Sequence, residues 1–213
     1  MQQLPLEISP RPDPSFGNFV AGANREALEA VRALAAGTAA EPIVYLWGEA
    51  ESGRTHLLRA AARENPGLTI ADDVEALDAG AQQALFVAIN EARDGRARVL
   101  AAGGRAPAQL ALRDDLRTRL AWGLVYQLKR LSDPEKRAHL HAAARERGLV
   151  LGDGVADYLL ARLPRGLSTL NAVLDRLDRV SLAKKRPLTL PLVREALAEQ
   201  TPREVVPRQG DSA

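Results

Sequence analysis

Eight consecutive residues, Gly48-Glu49-Ala50-Glu51-Ser52-Gly53-Arg54-Thr55, have the types and spacing needed to hold a phosphate group. Glycines let the backbone wrap closely round an anion, and the free N–H groups at a helix start point at its oxygens. Thr55 would place its hydroxyl on Mg²⁺. Arg54 stands where lysine is usual in this pattern, and it keeps the positive charge in a bulkier, forked head. His56 comes next and joins the candidate cofactor-contacting residues, although packing is its plainer reading. A second segment, Leu68-Thr69-Ile70-Ala71-Asp72-Asp73, is apolar and ends in two acids. Asp72 would hold Mg²⁺, directly or through water, and Asp73 would orient an attacking water. Such a pair alone also reads as a turn or a helix cap; after a phosphate-binding loop it reads as that loop's catalytic partner.

Two further segments have a chemical and a bland reading. Arg117-Thr118-Arg119-Leu120-Ala121-Trp122-Gly123 carries an arginine that could neutralise transition-state charge on another subunit's nucleotide, while spacing alone favours a solvated helix face. Gln3-Leu4-Pro5-Leu6 could anchor an amide and two leucines in a small apolar pocket, while the residues alone favour an ordinary disordered start. His139 and His141 are spaced i, i+2 on a helix, so they point to different faces and form no metal site with His56.

Regular elements must position these groups. Residues 1–16 hold Pro5, Pro10, Pro12 and Pro14 and read as an extended arm. A helix is predicted over Asn24–Ala35. Ile43–Trp47, a continuous apolar run between Pro42 and Gly48, reads as a buried parallel strand. A helix opens at the phosphate loop and stops at Asn65-Pro66-Gly67. Further strands are predicted at 68–71, 98–102 and 124–128, with helices at 79–94 and 114–120. Alternating strands and helices imply a parallel sheet with right-handed crossovers. Beyond Leu131 the pattern is all-helical: Ser132-Asp133-Pro134-Glu135 has capping-box spacing, Gly148 ends the first helix, and Leu167, Leu170, Val173, Leu174 and Leu177 form one stripe. The expected organisation is an arm (1–16), an α/β domain (17–130), a helical lid (131–200) and a frayed tail (201–213).

Bulk composition bounds the function. The chain has 213 residues, 46% of them hydrophobic, enough for a sizeable core. It has no cysteine, which removes disulfides and thiolate metal sites and fits a reducing, cytoplasmic compartment. The start lacks the basic flank and apolar stretch of a signal peptide, and no run reaches the ~18 apolar residues of a membrane span. A net charge of +2, with arginines spread among acids, does not describe a dedicated DNA binder.

Together, Gly48–Thr55, Asp72-Asp73, Arg119–Gly123 and the helical region resemble the AAA+ module of the DnaA family. The likeness is greatest to the family's Hda-like regulators, at Tyr45-Leu46-Trp47-Gly48, Gly53–Leu58, Trp122–Leu128, Leu131-Ser132-Asp133 and Leu174–Arg179 followed by Lys185–Thr189, and it spans nearly the whole chain. The resemblance implies an α/β P-loop domain with a small all-α lid, and ADP or ATP with Mg²⁺ as cofactors. It implies that Gln3, Leu4, Pro5 and Leu6 bind the sliding clamp, the beta subunit of DNA polymerase III. It further implies that Arg119 acts in trans on ATP held by DnaA, preventing over-initiation of replication, that ADP favours the active form, and that a homodimer can form. The helix-turn-helix reader that follows this module in DnaA is not legible here, so a regulator without sequence-specific DNA binding is expected rather than an initiator.

Departures from the family pattern qualify this picture. The stretch from Arg63 to Leu68 is too short for the strand–helix unit that the family inserts there, so the sheet is expected to be one strand short. Ala102-Gly103-Gly104-Arg105 stands where a polar sensor is usual, and Ser168 aligns where the lid presents an arginine; Arg165, one turn earlier, is its candidate substitute. With both sensors weakened, the chain is not expected to turn over its own nucleotide, and binding is expected to be weak, ADP-only or vestigial. Two alternatives stay open: a stand-alone AAA+ ATPase acting as loader or remodeller, and an adaptor that uses the fold without nucleotide.

Overall fold

A computed structural model describes residues 13–163, 166–184 and 186–198. The chain divides between Ser132 and Asp133 into two units, each with its own core. In the first, β1 (Ile43–Trp47), β2 (Thr69–Ala71), β3 (Val99–Gly103) and β4 (Leu124–Gln127) form a parallel sheet in the order β2-β3-β1-β4. Ile43 pairs with Val99 and Trp47 with Gly103 on one side of β1, and Val44 with Leu124 on the other. The sheet has four strands, as the short link before β2 predicts; β2 and β4 are its edges.

The period-two geometry of β1 assigns its side chains to two cores. Val44 and Leu46 pack with Leu100 and Ala102 under α1 (Arg25–Ala35) and α2 (Arg54–Glu64). Ile43 and Tyr45 pack with Val99 and Ala101 under α3 (Ala79–Arg93) and α4 (Asp114–Leu120). Both faces of the central strands are covered, which explains the unbroken apolar runs. Element ends follow local chemistry. Asp78 caps α3 by accepting from the Ala81 N–H at 2.8 Å. The residues just beyond α1 and α3 turn at Gly37 and Gly95, both at φ +76°. Phe16, expected at the end of an extended arm, is instead packed into the α1/α2 core.

The second unit is helical: α5 (Asp133–Glu146), α6 (Val155–Arg162), α7 (Leu167–Lys184) and α8 (Leu190–Ala198). The leucine stripe of α7 supplies the fully buried Leu170, Leu174 and Leu177, which meet Leu140, Leu159 and Val193. Gly148 takes φ +70° after α5, as its C′ position requires. Arg147 and Asp175 form a largely buried ion pair at 2.7 Å, and a parallel bridge joins Leu151 to Leu188. Among the described residues no helix is long and apolar enough to cross a membrane.

Candidate functional site

The order β2-β3-β1-β4 puts the reversal of strand order at β1, and the crevice beyond its C-terminal end is where parallel sheets bind ligands. The loop that leaves β1 there is Gly48–Thr55. A Cβ at Gly48 would collide with the Leu128 carbonyl oxygen. Gly53 sits at φ +99° with the Phe19 ring 2.7 Å from where a Cβ would be. Both glycines of the motif are therefore required by close approach of neighbouring chain. α2 begins at Arg54, directly behind the loop.

The polar groups of this loop converge on the end of β2. Thr55 Oγ1 donates to Asp72 Oδ2 at 2.7 Å, and Asp72 Oδ1 accepts the Asp73 N–H at 3.0 Å. Asp73 adopts a left-handed conformation, φ +43°, that Asp tolerates better than most residues. Its carboxylate lies 3.6 Å from Arg54 Nη2, with the arginine side chain only 14% exposed. Among the described residues, two of the three buried side-chain N or O atoms without a hydrogen-bond partner belong to this loop: Ser52 Oγ and Arg54 Nη1. Buried polar atoms are nearly always satisfied, so unpaired ones facing the same loop mark a place for a ligand's acceptors and donors. The hydroxyl–carboxylate pair of Thr55 and Asp72 is hard-oxygen chemistry of the kind Mg²⁺ prefers. The residues present thus fit a nucleotide phosphate with its magnesium.

At the sensor position after β3, backbone replaces a side chain. The Gly104 N–H donates to a Glu75 carboxylate oxygen, and the buried Tyr45 hydroxyl donates to the Arg105 carbonyl at 2.8 Å. A Cβ at Gly103 would meet the Tyr45 hydroxyl and, at 2.9 Å, Glu75 Oε2, so the strand end is filled from β1 and from the turn after β2. Burial first, and the Glu75 charge second, raise the Tyr45 hydroxyl well above the ordinary tyrosine range, so it stays a donor.

Sequence reading missed the segments that hold the loop. Nε2 of His56 donates to the Ser15 carbonyl at 2.9 Å, and its ring lies 5.4 Å from that of Phe19. His56 is therefore engaged in packing the N-terminal segment onto α2. The Asn24 amide donates to the Lys129 carbonyl at 2.8 Å and accepts the Lys129 N–H at 2.7 Å. Arg130 Nε donates to the Ala50 carbonyl at 2.7 Å and pairs with Glu49 at 3.3 Å. The available signal was the placing of two of the chain's three phenylalanines, Phe16 and Phe19, ahead of the first helix.

Arg119 lies in the last turn of α4. Its guanidinium lies 4.1 Å over the Phe86 ring and 4.9 Å over the Trp122 ring. Nε donates to Asn90 Oδ1 at 2.9 Å and Nη1 to the Asp115 carbonyl at 3.2 Å. Trp122 lines a cavity of about 330 Å³ with Glu41, Pro42, Ile43 and Arg93, at the N-terminal end of β1. The phosphate loop leaves the other end of that five-residue strand, roughly 13 Å away at ~3.3 Å per residue. Asp115 is claimed by Arg113, whose hydrogen bonds hold its carboxyl below the usual range. Gln3, Leu4, Pro5, Leu6 and Arg165 lie outside the described residues, and Ser168 falls in the first turn of α7. Among the described residues no group of His, Cys, Asp and Glu is placed to hold a metal by itself.

Comparison with known proteins agrees with this geometry. Residues 133–197 match the family model described as Hda, lid domain. An uncharacterized protein of Haemophilus influenzae is 32% identical over 228 residues, covering 92% of this chain and 98% of that protein. Domain III of the Thermotoga maritima replication initiation protein DnaA superposes with a TM-score of 0.71 at 20% identity, covering 90% of this chain and 98% of that one. AMPPCP-bound DnaA from Aquifex aeolicus gives 0.65 at 21% identity, over 82% of this chain and 66% of that one. With residues 133–197 matching the Hda lid domain behind a parallel-sheet domain of DnaA-like fold, this chain belongs to the Hda/DnaA-related AAA+ proteins.

Proposed function

We propose that the chain binds ADP or ATP with Mg²⁺ at Gly48–Thr55 and uses that site as a structural switch. Its catalytic contribution is Arg119, delivered to ATP held by DnaA. Gln3-Leu4-Pro5-Leu6 docks on the sliding clamp and brings the protein to replicating DNA in the cytoplasm. The observation that carries this reading is the separation of Arg119 from the chain's own phosphate loop by the length of β1. Arg119 stands beside Trp122, at the opposite end of β1 from its own loop, and its head is oriented and stacked on two aromatic rings. A preoriented guanidinium is what neutralising a partner's developing phosphoryl charge requires.

In the chain's own site Ser52, Arg54 and the loop N–H groups would bind phosphate, Thr55 and Asp72 would hold the metal, and Asp73, beside Arg54, would orient a water. Magnesium, when bound, would supply charge neutralisation there.

The test reconstitutes clamp-loaded DNA, ATP–DnaA and the purified protein, and follows loss of DnaA-bound ATP. Arg119→Ala is expected to bind the clamp normally and to lose stimulation by on the order of 10³-fold. A wild-type rate with Arg119→Ala excludes the finger role. A second reading, an ATPase acting on its own nucleotide, is favoured by the Thr55–Asp72 contact. Robust turnover by the purified chain without DnaA would select it.

A further inference from the structure

Five arginines lie on or beside α3 and α4, and their pairing is uneven. Arg113 holds Asp115 through two hydrogen bonds, at 3.0 and 2.7 Å. Arg117 pairs with Asp114 at 2.9 Å and Arg96 with Asp94 at 2.8 Å. Arg93 and Arg119 have no carboxylate within ion-pair distance among the described residues; Glu41 shares the Trp122 cavity with Arg93 but forms no ion pair with it. These two cations stack on the same indole, at 4.3 Å for Arg93 and 4.9 Å for Arg119. Trp122 itself is 38% exposed, and Arg93 is exposed.

Two guanidiniums gathered on one partly exposed ring, with every neighbouring aspartate already taken, form a site of unbalanced positive charge. Bringing like charges together is unfavourable unless an anion joins them. Guanidinium forks match phosphate oxygens in pairs, and a group bearing several charges satisfies both forks at once. A single carboxylate would satisfy only one.

We propose that Arg93 is a second phosphate-binding cation on this face, which grips the polyphosphate of the nucleotide in the partner's phosphate loop beside Arg119. This rests on the reading that Arg119 acts on a partner's nucleotide, and it assigns Arg93 a separate share. Arg119 acts on the phosphoryl group that is transferred, and Arg93 on ground-state affinity. Arg93 is the last residue of α3 and Arg119 lies in the last turn of α4, so the two helices deliver their C-terminal residues to one ring.

The experiment compares Arg93→Ala, Arg93→Glu and Arg119→Ala in the full chain with clamp-loaded DNA, titrating each against ATP–DnaA and nucleotide-free DnaA. Arg93→Ala is expected to raise the half-saturating concentration for ATP–DnaA about tenfold, leaving the maximal rate of ATP loss within twofold. Arg93→Glu should raise it a further tenfold or more. Binding to nucleotide-free DnaA should be the same for wild type and Arg93→Ala. Melting curves and tryptophan emission confirm that each variant is folded. Equal effects of Ala and Glu, or an equal loss toward nucleotide-free DnaA (the mark of a contact with a protein carboxylate), would overturn the proposal. So would wild-type behaviour of Arg93→Ala while Arg119→Ala is inactive. Full activity of Arg119→Ala would instead remove the underlying reading, whatever Arg93 does.

Discussion

The Thr55 hydroxyl donates to the Asp72 carboxylate at 2.7 Å, joining the first turn of α2 to the end of β2 across seventeen residues of chain. The contact lies at the start of α2, directly behind the phosphate loop, so it aligns both halves of the proposed magnesium site. Thr55→Ala and Asp72→Asn are each expected to reduce Mg²⁺-dependent nucleotide affinity by at least about tenfold. Residues acting as one unit are not additive, so the double variant should be little worse than either single one. Calorimetric titration of ADP with and without Mg²⁺ checks this; two independent, additive losses would separate the residues.

Arg54, where this chain departs from the family pattern, opens α2 at the end of the loop, and it is not comfortable there. One guanidinium nitrogen is buried without a partner, and the nearest acid, Asp73, is 3.6 Å away. An unsatisfied buried donor costs about 1–3 kcal/mol. Arg54→Lys removes it and places a compact ammonium at the loop. The expectation is several-fold tighter ADP binding with thermal stability unchanged or raised. A weaker site in a fluorescent-nucleotide titration would mean that the fork itself, not only the charge, is used.

What could be read without coordinates were features carried by neighbouring residues. The strand at 43–47, the loop at 48–55 and the helix stop at 65–67 each announce themselves within eight residues, by an apolar run, glycines and a breaker. The short link before β2 even foretold the four-stranded sheet. The missed features join distant residues. Asn24 holds Lys129 across 105 positions, Arg130 reaches Ala50 across 80, and Arg119 finds Asn90 across 29. No periodicity encodes such pairs, because each depends on where the sheet brings two chain ends together. The Gly103-Gly104 sensor gap was legible as an absence, but not the reason for it: Tyr45 and Glu75 already fill the space.

Gly123 precedes β4 and is fixed by proximity rather than by a special dihedral. A Cβ there would run into the Ile43 carbonyl oxygen and lie 2.6 Å from the Ile43 side chain and 2.7 Å from its carbonyl carbon. The collision is with central-strand backbone, which cannot yield without breaking the β1–β4 register. Gly123→Ala is expected to destabilise the protein by about 2 kcal/mol or more, as overpacking does. Gly37→Ala meets no atom and pays only for its left-handed φ of +76°, about 1–2 kcal/mol. Urea unfolding should rank Gly123→Ala as the worse of the two; the reverse order would show that the start of β4 can shift.

Leu174 lies at the centre of the α7 stripe, fully buried among Leu140, Leu159, Leu170 and Val193. This core shares no member with the two cores that flank the sheet. Leu174→Ala should leave a cavity costing about 2–5 kcal/mol, and the loss should stay local. Amide exchange is the discriminating measurement, because it reports each element separately. Protection in α5, α6 and α7 is expected to fall while β1 and β3 keep theirs. Loss of protection in β1 to the same degree would mean that the helical unit and the sheet unit unfold together. Trimming Leu46, on the α1/α2 side of β1, then serves as the reciprocal probe. Its cavity should lower protection of β1, β3 and α2 and spare the leucine stripe of α7, since no residue of that stripe belongs to its cluster.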